Sequence, residues 1–289
     1  MVDTRRLESL ISRAGEDTTP ARGAAATGQR ALALSGHRDM RRAGPNRARS
    51  RQQQAMIDAN WDALGPCNPD PAPDKLVHQF NVEGRKSPVV ARFDLLRAQL
   101  VQQFRTHQLI SLGITAPLRG TGTTFATTGL LAALTRRGEH RVIGLDMNLR
   151  DPALHSYFEL QPDHAIADFI NGTLPASAFL RRLTGTTALG LSLAEDAYMG
   201  GMGLGSQEIA RSLHELKQDY APDMILCDLP NLLHGDTALE ICAQLDAVLI
   251  VADSRVTRTE DILACERLLT GRTEFLGVIL NNYTGNEAL

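Results

Sequence analysis

Six short apolar runs constrain what this chain can fold into. They read LISLGIT at 109–115, RVIGLD at 141–146, LGLSLA at 189–194, MILCD at 224–228, AVLIVA at 247–252 and LGVIL at 276–280. Most are apolar on consecutive positions, so neither face of such a strand tolerates water. The stretches between them carry apolar residues at helical spacing. Continuous apolar strands separated by helices predict a parallel sheet covered on both faces. That is an α/β, doubly wound domain, whose ligands bind beyond the carboxyl ends of the strands. No internal repeat is evident.

Composition fits that frame. A chain of 289 residues, 43% hydrophobic and 22% charged, suits one large domain of about 200 residues plus an appendage. Wholesale disorder is excluded. The longest apolar run falls well short of the roughly 20 residues a membrane helix needs, and no secretory signal is visible at the start. The four cysteines (Cys67, Cys227, Cys242, Cys265) lack CxxC spacing. A cytoplasmic location is therefore expected.

Charge is unevenly spread. Residues 1–51 hold eleven arginines against five acids, so the rest of the chain is acidic. The Ala-, Gly- and Arg-rich segment 21–50 reads as disordered. Two amphipathic helices flank it, one presenting Leu7, Leu10, Ile11 and Ala14, the other presenting Met56, Trp61 and Leu64. PCNPDPAPD at 66–74 reads as a stiff linker. The expected division is a basic extension over 1–74 and an α/β domain over 75–289. The extension reads first as a solvated or partner-docking arm and second as a segment for an anionic membrane surface, a peripheral association. Nucleic acid is disfavoured, because interleaved aromatics are missing.

The first apolar run continues into APLRGTGTTFATTGLLAALTRRG. A strand, a turn with Gly120 and Gly122, and a helix beginning near Thr123 and Thr124 form the setting of a phosphate-binding loop. The glycines let successive N–H groups point inward, and the helix start adds partial positive charge. Against the pattern GxxxxGK[ST], Gly122 takes the second glycine, Thr124 the hydroxyl residue and Thr123 the lysine position. That lysine is the point charge on the terminal phosphates. Only three of the 30 basic residues are lysines, Lys75, Lys86 and Lys217, and none lies within 30 residues of the loop. Arg119 is the nearest cation, and its planar fork substitutes poorly for an ammonium. Taken alone the loop could be a plain strand–turn–helix corner.

Other strand ends supply matching parts. Asp146 closes the second run, and Asp228 closes MILCD, where a carboxylate holds Mg²⁺ directly or through water. Asn281 follows the last run, where a base could be read. The eight histidines show no HxxxH or HExxH spacing, so a zinc site is not expected. No GxSxG elbow is present. Cys227, inside an apolar strand, reads as packing.

Taken together, RFDLLRAQL, TAPLRGTGTT, LDMNLRDPALHSYF, SQEIA, DMILCDLP, DAVLIVADSRVTRTEDILACERLL and LGVILNN resemble the cytoplasmic domain of bacterial tyrosine kinases of capsular and exopolysaccharide biosynthesis, especially the exosortase-associated autokinases. These are P-loop proteins of the deviant Walker group, and the resemblance covers about 75–289. It implies ATP and Mg²⁺ as cofactors, homo-oligomerisation, autophosphorylation on C-terminal tyrosines, and a membrane-embedded polysaccharide co-polymerase or chain-length determinant as partner. Gly120, Thr121, Gly122, Thr123, Thr124 and Arg119 fall on the phosphate loop, with Asn281 at the base. Asp146 and Asp228 match the catalytic and Mg²⁺-binding acids, together with the Thr124 hydroxyl. The chain departs from the pattern at Thr123, at Asn148 (a second acid in the family), at Asp151 (a basic residue in the family) and in the oligomerisation helix, which has Ala91, Asp94 and Arg97. Tyr283 is the one tyrosine near the C-terminus and so the phosphoacceptor candidate. The GGMGLG run at 200–205 is expected to be mobile.

These losses fall on both sides of phosphoryl transfer. The expectation is a kinase-like regulatory protein of exopolysaccharide biosynthesis that is weak or inactive, with nucleotide held weakly or not at all. An active autokinase and a partition- or positioning-type ATPase stand as alternatives.

Overall fold

The computed structural model describes residues 50–67, 76–82, 86–193 and 205–283. The expected first helix, the 21–49 segment, most of the Pro-rich linker and residues 200–204 of the glycine run lie outside them.

The strands are β1 (Gly65–Pro66), β2 (Ser111–Thr115), β3 (Val142–Asp146), β4 (Arg181–Arg182), β5 (Thr187–Gly190), β6 (Met224–Asp228), β7 (Ala247–Asp253) and β8 (Glu274–Asn281). They form one sheet in the order β1-β4-β5-β3-β6-β2-β7-β8. All pairings are parallel except β4 with β5. Strands occur at all six expected places, the third displaced to Thr187–Gly190 from the expected 189–194. The two additional ones, β1 and β4, are two residues each, too short to announce themselves in sequence.

β2, β3, β6 and β7 are buried at every position. Successive side chains on a strand point to opposite faces, and the apolar clusters divide accordingly. Ile225 and Cys227 join one cluster; Met224 and Leu226 join the other. Helices cover both faces, which is the doubly wound arrangement. α1 (Arg51–Ala63), α2 (Leu76–Val82), α3 (Pro88–His107) and α4 (Thr123–Arg137) precede β3. α5 (Leu154–Phe158), α6 (Ile166–Ile170), α7 (Ala176–Phe179), α8 (Ser206–Asp219), α9 (Thr237–Cys242) and α10 (Thr259–Leu269) follow. α2, α3 and α4 lie over the face that holds Leu112 and Leu226, and α1, α6, α8 and α9 over the other. No helix among the described residues is long and apolar enough to cross a membrane.

α1 belongs to the packed core. A capping box of Ser50 and Gln53 starts it. Trp61 is 2% exposed, stands edge-on to Tyr220 and donates its Nε1–H to the Tyr220 carbonyl at 2.7 Å. Asp58 pairs with Arg141 and Asp62 with Arg182. β1 then adds to β4, extended by the Cys67 N–H donating to the Arg182 carbonyl. Among the described residues, α1 thus packs with the α/β unit although it lies upstream of the expected boundary at residue 75. The cause is burial of Ile57, Trp61 and Leu64 against the sheet.

At the amino ends of the strands, Lys217 Nζ sits 3.2 Å from Asp246 Oδ2. That carboxylate also accepts from the backbone N–H groups of Ile110 and Ser111. The network ties α8 to the start of β2, at the end of the sheet opposite the glycine turn.

Candidate nucleotide-binding cleft

The sheet order sets the site. β6 lies between β2 and β3, so the carboxyl ends of three adjacent strands converge and Asp146 pairs in register with Asp228. In an open α/β sheet this is where ligands bind.

Beyond β2 the chain turns through Gly120 (φ 79°) and Gly122 (φ 96°) before α4 begins at Thr123. Gly122 is required twice over: its backbone is left-handed, and a Cβ there would stand 2.2 Å from Asn281 Nδ2. That amide donates to the Thr121 carbonyl at 2.9 Å. Asn281, expected to read a base, here holds the loop through this bond. Thr121 is buried, and its hydroxyl donates to the Leu118 carbonyl, so its side chain braces the turn while its neighbours face outward.

The floor of the site is acidic. Thr124 Oγ1 donates to Asp228 Oδ2 at 2.7 Å, and Thr127 Oγ1 lies 3.2 Å from Oδ1. Asp146 accepts from the backbone N–H of Leu154 at 2.9 Å and of Asn148 at 3.3 Å. Both carboxylates are fully buried, and no salt bridge to either occurs among the described residues. Burial pushes Asp228 up to about 7 against the two threonine hydroxyls. Burial, and then the charge of Asp228, raise Asp146 well above the usual carboxylate range against its backbone donors.

This pair lacks a cation, and its donors are hard oxygens beside a hydroxyl, which suits Mg²⁺. The described residues contain no cage of three or more His, Cys, Asp or Glu. Mg²⁺ ordinarily completes its shell with waters and phosphate oxygens, so two carboxylates and Thr124 are a fitting protein share.

The raised carboxyls carry a stability signature. When the folded-state pKa lies above the unfolded value, the native state binds more protons between the two, and stability falls as pH rises through that window. Without divalent cation, stability is expected to decline from about pH 4 to pH 7 through Asp228. Asp228→Asn should flatten that slope in urea denaturation across the range. An unchanged slope would show the carboxyl titrating normally.

Above the floor lies a cleft of about 860 Å³ lined by Arg119, Gly120, Gly122, Thr123, Thr124 and Asn148, among others. Thr123 presents a hydroxyl where the sequence pattern requires an ammonium. Neither described lysine lines the cleft: Lys217 is committed to Asp246, and Lys86 lies at the start of α3. The cations of the lining are Arg119 and Arg150, facing Asp151, Asp236 and Glu240.

Two further residues meet here. Thr127 lies one helical turn beyond Thr123, a spacing visible in sequence. Tyr157 on α5 lines the cleft, and burial, with the charge of Asp228, raises its phenol. Tyr283, two residues past Asn281, is exposed and does not line the cleft. Cys227 is buried in β6, where burial raises its thiol, as packing requires.

No family model matches the chain. Over 174 residues it is 22% identical to a tyrosine-protein kinase, Ptk, from Acinetobacter johnsonii. That match covers 60% of this chain and 23% of the relative, so the chain spans about a quarter of that protein's length. Among solved structures it is similar to the kinase domain of the Escherichia coli tyrosine kinase ETK, with a TM-score of 0.58, 18% identity, and coverage of 69% of this chain and 79% of that one. The chimerical protein CapA2B2 gives 0.60 at 16% identity, covering 72% and 90%. The septum site-determining protein MinD from Pyrococcus horikoshii, complexed with Mg-ADP, gives 0.53 at 19% identity, covering 62% and 72%. The chain therefore has the P-loop fold shared by these proteins, and it resembles bacterial tyrosine kinases in sequence.

Proposed function

We propose that this chain, which carries the P-loop fold of the bacterial tyrosine-kinase domains, is a kinase-like regulatory protein of exopolysaccharide biosynthesis whose phosphoryl transfer is weak or lost. One observation carries the reading. Thr123 stands where the terminal phosphates need a cation, while the Mg²⁺-type carboxylates Asp146 and Asp228 and the hydroxyl of Thr124 are kept beneath it. Such a site can hold Mg·nucleotide through loop N–H groups and α4, and the cation that follows charge movement during transfer is missing. Asn148 in place of an acid weakens the metal-binding side of the same site.

The likeness to tyrosine kinases of polysaccharide systems supports a membrane-embedded co-polymerase as partner, a cytoplasmic setting and assembly into homo-oligomers. The MinD-type likeness keeps a positioning ATPase as the second reading. The two kinds of activity part in a direct assay. Purified full-length chain titrated calorimetrically with ATP·Mg²⁺, with phosphotyrosine detection in parallel, should show binding weaker than micromolar and no labelled tyrosine. Micromolar binding with label on Tyr283 would overturn the proposal in favour of an active autokinase. Steady ATP hydrolysis without label would favour the second reading.

A further inference from the structure

Arg119 and Asp151 face each other across the mouth of the cleft. Arg119 sits in the loop between β2 and α4, directly before Gly120. Asp151 sits in the loop between β3 and α5, held in a turn by its N–H donating to the Asn148 carbonyl. Arg119 Nη2 lies 2.7 Å from Asp151 Oδ2, and the two side chains are 79% and 57% exposed. Both line the cleft. With that exposure the guanidinium has room to move.

We infer that Arg119 is the replacement cation of this site, parked on Asp151 when the cleft is empty and transferred to the phosphates of a bound polyphosphate ligand. This rests on the cleft being a nucleotide site and adds how its missing charge is supplied. An exposed ion pair of this kind is a weak tether, because solvent screens it and two side chains must be ordered to make it. A phosphate group offers the same guanidinium several charged oxygens in a geometry that suits its planar fork. The ligand therefore outcompetes the carboxylate. Asp151 is the competing anion for the guanidinium.

A double-mutant cycle separates transfer of Arg119 from simple charge repulsion. Full-length protein is titrated with inorganic triphosphate and Mg²⁺ at low ionic strength. Asp151→Asn should tighten binding about fivefold, the scale of one weak surface pair released. Arg119→Gln should weaken binding, and Asp151→Asn added to Arg119→Gln should bring little or no gain. Arg150→Gln should leave the fivefold gain in place. The gain should shrink at high salt, where exposed charges are screened. The inference is overturned if Asp151→Asn brings no gain, or if the gain is as large without Arg119, since the aspartate would then act by repulsion alone. Thr123→Lys measured alongside distinguishes the two levels. If that variant binds triphosphate and the cycle shows no coupling, only the role of Arg119 fails. If it does not bind either, the nucleotide reading of the cleft fails as well.

Discussion

Thr123→Lys should raise the affinity for ATP·Mg²⁺ by at least tenfold. Removing one partner of a desolvated charge pair typically costs about 2–5 kcal/mol, roughly 30-fold to several-thousand-fold in affinity. Restoring such a partner recovers a share of this that depends on how well the loop is shaped. Here the shape is kept. Both glycines hold positive φ, Thr124 is oriented by Asp228, and Asn281 fixes the turn through the Thr121 carbonyl. Thr123 is the first residue of α4 and lines the cleft, so a longer side chain there extends into open space. Calorimetry on the variant and the parent reads the change directly. An unchanged affinity would mean that the turn does not receive phosphate at all. Phosphotyrosine should remain low even in the tight-binding variant, because Asn148 is untouched.

Trp61→Ala should destabilise the fold by roughly 3–5 kcal/mol, the usual cost of truncating a buried aromatic side chain. Against a typical total of about 5–15 kcal/mol this is roughly a fifth of the stability or more. The loss has three physical parts: the apolar surface of a ring that is 2% exposed, the hydrogen bond to the Tyr220 carbonyl, and the cation–π contact with Arg141. Urea unfolding followed by circular dichroism measures it, with Trp61→Phe separating ring from N–H. A shift below about 1 kcal/mol, within the range of surface substitutions, would make α1 a detachable arm and return the edge of the folded unit to residue 75.

These two positions mark what the sequence made legible. The central strands could be read because each is apolar at consecutive positions, and their carboxyl ends place Asp146 and Asp228 side by side. Thr123 could be read because the motif around it is rigid in spacing. Asn281 lies at the end of the last strand beside the loop, and its contact there was not legible. A side-chain amide can face a ligand or a nearby carbonyl, and only the fold places the Thr121 carbonyl within 2.9 Å. Tyr157 was hidden because a half-buried aromatic on a five-residue helix has no periodic signature. Trp61 reads as a packing anchor from sequence, but its partner Tyr220 is 159 residues away. The network of Lys217 with Asp246 likewise spans elements that only the sheet order makes neighbours.

The borders of the sheet carry a last consequence. One border is β1, two residues long. The other is β8, where Leu276 is passed over between the Val248–Phe275 and Leu249–Gly277 pairs. A free strand edge is a template on which another chain can add by backbone hydrogen bonding, and proteins blunt it by shortening or bulging the outermost strand. Here one edge is shortened and the other bulged. Copies of this protein are thereby discouraged from fusing sheet to sheet, and self-association, where it occurs, is directed to helical faces, whose contacts can be made and undone without unzipping the core.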